Sequence, residues 1–166
     1  MLIDYLPSLF NPEHYSYFIS YSTRDQEFAE RLHGDLQNKG VRCWFAPHDL
    51  PIGEEILGGI DEGIRLREKV LLILSEHSVR SVWVKREVTT ALEEEERRRL
   101  TMFFPVRLDD AIFDNKEAWA TQVRSRNIGD FRQWKDHDAY KRSFERVVRD
   151  LTKEQPAAPR HTEGDA

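Results

Sequence analysis

Trp83 and Glu87 stand one helical turn apart in the segment Ser81-Val82-Trp83-Val84-Lys85-Arg86-Glu87. At about 100° per residue, Glu87 falls about 60° from Val84, at the margin of an apolar stripe made by Val84, Val88, Ala91 and Leu92. A carboxylate at such a margin is partly desolvated, and a partly desolvated acid beside a flat aromatic ring has the makings of a site. Spacing alone leaves an ordinary reading open as well, with Glu87 solvated in the first turns of a helix and Trp83 a core aromatic. Other chemistries are poorly served. The six histidines are scattered, with no HExxH or paired-ligand spacing, so no metal site is expected. Gly58 to Gly63 has the G-x-x-x-x-G spacing of a phosphate loop, but Ile64 and Arg65 stand where Lys and Ser/Thr are required. There is no G-x-G-x-x-G fingerprint and no G-x-S-x-G elbow. Cys43, the only cysteine, excludes an intrachain disulfide and a Cys-based zinc site, and reads as a buried strand residue rather than a nucleophile.

The elements that must position Trp83 and Glu87 follow from length and periodicity. A chain of 166 residues fits one domain, and 39% hydrophobic with 33% charged residues suits a soluble globule. Thirty acidic against 25 basic residues, a net charge of -5, provide no uniform positive field for a nucleic acid backbone. Val70 to Leu74 is the longest aliphatic run, far short of the ~20 residues of a membrane helix, and Met1 to Phe10 carries Asp4 but no Lys or Arg. Neither a membrane span nor a signal peptide is expected, and a single cysteine suits a reducing compartment, so the expected location is cytoplasmic.

Tyr17, Phe18 and Ile19 read as a strand, and Ser22-Thr23-Arg24-Asp25 has the spacing of a capping box that starts a helix. Phe28, Ala29, Leu32 and Leu36 carry that helix to Gly40. Val41 to Phe45 is a second strand, followed by a shaped loop, Ala46 to Gly53, whose two prolines lack amide donors. Ile56, Ile60 and Ile64 mark a helical stripe weakened by Gly58, Gly59 and Gly63. Val70 to Leu74, apolar on both alternating faces, is the candidate central strand, and Ser78 or Ser81 can cap the helix that follows. Its end, Glu93 to Arg99, offers Glu93/Arg97, Glu94/Arg98 and Glu95/Arg99 pairs and reads as solvated. Met102 to Leu108 is a fourth strand with Pro105 expected near its exit, and the stretch around Ile128 is a weak fifth. Tyr140, Phe144, Val147, Val148 and Leu151 make a last amphipathic helix. The expected organisation is an N-terminal extension over 1–14, a domain over 15–154 and a disordered tail over 155–166. Strands alternating with helices predict an α/β, flavodoxin-like doubly wound sheet of five parallel strands, order 2-1-3-4-5, with helices on both faces. Ligands of such sheets sit beyond the carboxyl ends of the strands where the winding reverses, here between the loops Ser20 to Asp25 and Ser75 to Trp83.

Four segments also carry a resemblance. Phe18-Ile19-Ser20-Tyr21-Ser22-x-x-Asp25 ends the first strand, and Cys43-Trp44-Phe45-Ala46-Pro47-His48-Asp49-Leu50-Pro51-Ile52-Gly53 spans the second strand and its loop. Ser81-x-Trp83-x-x-x-Glu87 and Gly129-Asp130-Phe131-x-x-Trp134 follow in order. Together they resemble TIR (Toll/interleukin-1 receptor) domains of the bacterial NAD-cleaving type over roughly residues 15 to 152. Departures are Val84 for a frequent cysteine, Val88 for a common leucine and His48 where arginine is common.

The resemblance implies an NAD nucleosidase with Glu87 catalytic, releasing nicotinamide and giving ADP-ribose or a cyclic ADP-ribose isomer. Nicotinamide departs neutral, so one carboxylate suffices and no general acid is needed. Positive charge builds on the ribose, and a carboxylate ~4 Å away contributes up to ~4 kcal/mol at an effective dielectric of ~20, worth about 10³ in rate. Tyr21, Phe45 or Trp83 would stack on a ring of the substrate, and Ser22 and Arg24 would meet it from the turn after the first strand, Arg24 at the pyrophosphate. The loop residues Pro47, Asp49, Leu50, Pro51, Ile52 and Gly53 would form an assembly surface, so a homo-oligomer is expected, with a sensor or effector protein as a further partner. NAD enters as substrate, with no resident cofactor and no metal. Antiphage defence is the implied setting. The alternatives are a noncatalytic TIR scaffold for homotypic assembly, or a virulence factor interfering with host TIR signalling.

Overall fold

The computed structural model describes residues 17–47 and 69–153. The N-terminal extension, the Ile56 to Ile64 stripe, most of the shaped loop and the tail lie outside the described residues. Strand β1, Tyr17–Tyr21, is followed by a 3-10 turn, Thr23–Asp25, and helix α1, Gln26–Asn38. Ser22 caps the turn by accepting from the Arg24 amide at 3.2 Å, so the regular α-helix opens at Gln26, later than the capping pattern predicts. Gly40, with φ at +83°, closes α1 in the left-handed conformation, and the Val41 amide returns to the Leu36 carbonyl at 2.9 Å. Then come β2 (Cys43–Pro47), β3 (Lys69–Leu74), a one-turn helix α2 (Glu76–Val79) and the long helix α3 (Val82–Arg98). The described residues finish with β4 (Phe103–Arg107), α4 (Ala111–Asp114), α5 (Ala118–Arg124), β5 (Gly129–Asp130) and α6 (His137–Thr152).

All strands pair in parallel in the order β2-β1-β3-β4-β5. Four of them have five or six residues, while β5 has two and starts just after Ile128. The sheet separates two cores because strand side chains alternate. Tyr17, Ile19, Tyr21, Leu71, Ile73 and Val106 pack on one face with α1 and α6. Val70, Leu72, Leu74 and Phe103 pack on the other, where α3 supplies Val84, Val88 and Ala91 and α5 supplies Trp119 and Val123. Each fully buried side chain of Leu or Ile size contributes roughly 1.5–3 kcal/mol relative to exposure, so β3, buried along all six residues, is the axis of the fold. On the α1/α6 face, Phe131 and Trp134 meet the Phe28 ring at 5.1 and 5.3 Å between centroids, which ties the segment before α6 to α1.

Two expectations are corrected here. Pro105 sits in the middle of β4 rather than near its exit. The even-numbered residues of β4 bond to β3, as the Met102 carbonyl and the Leu108 amide do at 2.8 Å, so the odd positions face β5. β5 pairs only with Val106 and Arg107, so the missing amide of Pro105 falls where no described strand asks for it. Gly129 fits the same tight edge, since a Cβ there would lie 2.9 Å from Val106 Cγ1. The second correction concerns the end of α3. Glu94 pairs with Arg97 and Arg98 at 2.7 Å each, but Glu95 turns inward and pairs with Arg126 instead of Arg99. Its Oε2 accepts from the amides of Met102 at 2.9 Å and Phe103 at 3.1 Å, fastening the start of β4.

Candidate functional site

Alternation along β1 decides what meets α3. Ile19 and Tyr21 point to the α1/α6 core, so Ser20, between them, faces the other side of the sheet. Helix α3 lies there, started by Ser81, whose hydroxyl accepts from the Trp83 amide at 3.0 Å. Val84, Val88 and Ala91 fix its rotation, which brings Glu87 inward to 3% exposure. The Ser20 hydroxyl, itself at 0% exposure, donates to Glu87 Oε1. Glu87 is therefore buried more deeply than its place at the stripe's margin predicts, and the solvated reading fails.

The loops at the carboxyl ends of β1, β3 and β4 are fastened to one another. Ser75 Oγ donates to Asp25 Oδ2 at 2.5 Å and accepts from the amides of His77 and Ser78, capping α2. Asp109 Oδ2, from the loop after β4, accepts from the Glu76 amide at 2.8 Å. Asp25 thus ties the turn after β1 to the cap of α2, at the reversal of winding between β1 and β3.

The expected site residues distribute unevenly. Ser22 is buried as a cap, and Arg24 is exposed on the same turn. Trp83 is half-buried on α3, with the Arg86 guanidinium 5.8 Å from its ring centroid. A shallow cavity of about 420 Å³ beside it is lined by Val82, Trp83, Lys85, Arg86, Thr89 and Thr90, and Glu87 does not line it. Tyr21 is corrected: at 4% exposure it packs with Phe28 and Ile19 on the sheet face opposite Glu87, and stacking beside that carboxylate would require leaving the core. In the ladder, β2 sets Phe45 beside Ile19 and Pro47 beside Tyr21, while Asp49, Leu50, Pro51, Ile52 and Gly53 lie outside the described residues. Cys43 is buried, and burial pushes its thiol up to about 12, so it stays protonated and a poor nucleophile. Among the described residues, no group of three His, Cys, Asp or Glu side chains is placed to hold a metal ion, and no helix is long and apolar enough to cross a membrane.

Ser20, Asp25 with Ser75, and Glu95 escaped sequence reasoning as contact-makers. A signal existed for two of them. Ser20 is a polar residue at an inward strand position, and Glu95 continues the α3 stripe of 84, 88 and 91 by one further step of four.

Comparison with known proteins places these features in a family. Over 84 residues, 49% of this chain and 34% of the relative, the sequence is 31% identical to a probable 2′ cyclic ADP-D-ribose synthase, TcpB, of Brucella abortus. It is 29% identical over 83 residues to the NAD(+) hydrolase TcpC of Escherichia coli, covering 49% of this chain and 27% of that protein. A stimulator of interferon genes protein of Magallana gigas is 29% identical over 111 residues, 66% of this chain and 27% of the relative. The matched part thus spans about a third or less of each relative's own length. Residues 18–148, which hold every described strand but the first residue of β1 and include Ser20, Trp83 and Glu87, match the family model for the TIR domain, and this chain belongs to the TIR domain family.

Proposed function

We propose that this TIR domain cleaves NAD between nicotinamide and ribose, with Glu87 as the catalytic carboxylate. The observation that carries the reading is the setting of Glu87: 3% exposed, on a capped helix, toward the carboxyl ends of β1 and β3. A carboxylate taken out of water acts on developing charge more strongly than a solvated one, and it is already held in place before the charge forms. As nicotinamide leaves with the bonding electron pair and becomes neutral, the ribose carbon gains positive charge, which Glu87 stabilises until water or a group of the substrate attacks. Linear ADP-ribose results in the first case and a cyclic isomer in the second. Related proteins named as an NAD(+) hydrolase and a probable cyclic ADP-ribose synthase support this chemistry at the family level. Trp83 and Arg24 are the proposed ring and pyrophosphate contacts, Ser22 and Phe45 are further proposed substrate contacts, and the loop from Pro47 to Gly53 is the proposed assembly surface of a homo-oligomer.

A second reading has one observation in its favour. A glutamate as buried as Glu87 and bonded to a strand serine also serves as a packing element, and in a noncatalytic assembly module that would be its whole role. Incubating the pure protein with NAD and separating the products by chromatography decides between them. Release of nicotinamide, lost in Glu87→Gln at unchanged fold, supports the enzyme. Absence of release across a hundredfold range of protein concentration leaves the assembly module.

A further inference from the structure

We infer that Ser20 is the positioning residue for Glu87: its hydroxyl holds the carboxylate in the orientation that the cleavage step uses. This rests on Glu87 being the working group. A glutamate has three rotatable side-chain bonds, and at the margin of an amphipathic helix its carboxylate gains by swinging toward water. Serine has one such bond, and the backbone of Ser20 is fixed from both sides. In the parallel ladder it stands opposite Ala46 of β2 and Leu72 of β3, one residue before the carboxyl end of β1. The hydroxyl is therefore a donor on a rigid mount, at 0% exposure, with Glu87 Oε1 as its acceptor. The mount and the helix come from distant parts of the chain, 67 residues apart, so the bond also registers α3 against β1. The Asp25–Ser75 hydrogen bond at 2.5 Å ties the turn that follows β1 to the loop that follows β3, and so steadies the same end of the sheet. A carboxylate misplaced by about 1 Å loses up to about 10²-fold in rate, which is the scale on which such a mount matters.

The test is a double-mutant cycle of Ser20→Ala and Glu87→Ala, the second removing the acceptor that glutamine would keep, read in two ways on the whole chain. Urea midpoints report the contact without any need for turnover: if Ser20 holds Glu87, the two substitutions shift the midpoint by less together than the sum of their separate shifts. Additive shifts overturn the proposal. Turnover of NAD reports the positioning. Ser20→Ala is expected to lower kcat roughly 10- to 100-fold with KM within about threefold of the parent, measured where the variant is fully folded. A merely structural serine would leave kcat of the folded protein unchanged, and that result, or an equal loss carried by KM, also overturns the proposal. Coupled midpoints in a parent protein that releases no nicotinamide overturn the NAD-cleaving reading and leave the Ser20–Glu87 mount standing.

Discussion

Helix α3 buries two glutamates, and they live in different chemical settings. Glu87, at 3% exposure, meets the Ser20 hydroxyl toward the carboxyl ends of the strands. Glu95, at 6%, lies two turns further on, where it meets the Arg126 guanidinium and the first amides of β4. Guanidinium and amides match the charge and lone pairs of Glu95 where it stands, the arrangement of a structural ion pair. It also sits at the entry end of β4, away from the carboxyl ends of the strands where ligands of such sheets collect. Burial of a carboxylate is thus a poor guide to function by itself. Its position along the sheet, and the group that meets it, distinguish the fastening at Glu95 from the acid proposed to work at Glu87.

The sharpest way to break this contrast is to neutralise each glutamate in turn. Glu87→Gln is expected to lose at least ~10²-fold in NAD turnover with its fold intact, by circular dichroism and urea melting. Glu95→Gln should keep the turnover of its folded fraction and lose stability instead. Equal loss of turnover in both variants would erase the distinction. Next in size, Arg126→Ala should cost about 2 kcal/mol of unfolding free energy, less than the ~3–5 kcal/mol of a fully buried pair because the Arg126 side chain is 28% exposed. Its effect should be strongly non-additive with Glu95→Gln in a urea-melting cycle.

A smaller effect, roughly tenfold in turnover, is expected for Trp83→Ala, with Trp83→Phe retaining part because a flat face survives. Trp83 is half-buried, so the alanine variant should remain folded; a protein that unfolds instead assigns Trp83 to the core. The smallest effect comes from a third carboxylate outside both settings. Asp130 accepts from Arg132 at 2.9 Å, and that hydrogen bond, with Arg107 nearby, lowers its carboxyl to about 2. A folded-state value below the ordinary 3.8 means the contribution is present above about pH 4 and is lost as the pH falls through about 2. Arg132→Ala should therefore lower stability slightly at neutral pH and by less as the pH falls toward about 2, a small effect because Asp130 is half exposed. A large change at neutral pH would show that this surface pair matters as much as the Glu95 pair.

Much of the architecture was legible in the residues. Phe28, Ala29, Leu32 and Leu36 bury the face of α1 that their spacing assigns, and Val70 to Leu74 is the fully buried strand that an unbroken apolar run requires. These are local signals, because a helix or strand shows its buried side through its own period. Glu87 was legible as a candidate, since its spacing from Trp83 left a site open and the segment's resemblance to a family favoured one. What holds Glu87 was not. The partners Ser20 and Glu87 are 67 residues apart, Asp25 and Ser75 are 50 apart, and Glu95 and Arg126 are 31 apart. Helical spacing made Glu95 one more charge in a solvated run with Arg99 as its nearest candidate, and the resemblance to a family offered Tyr21 as a ring for the substrate. Only the packing of α3 on the sheet turned Glu95 toward Arg126, and only the alternation of β1 within that packing sent Tyr21 to one core and Ser20 to the other. Which polar groups meet depends on which strands are neighbours and how each helix is rotated upon them, and the whole apolar core settles both at once.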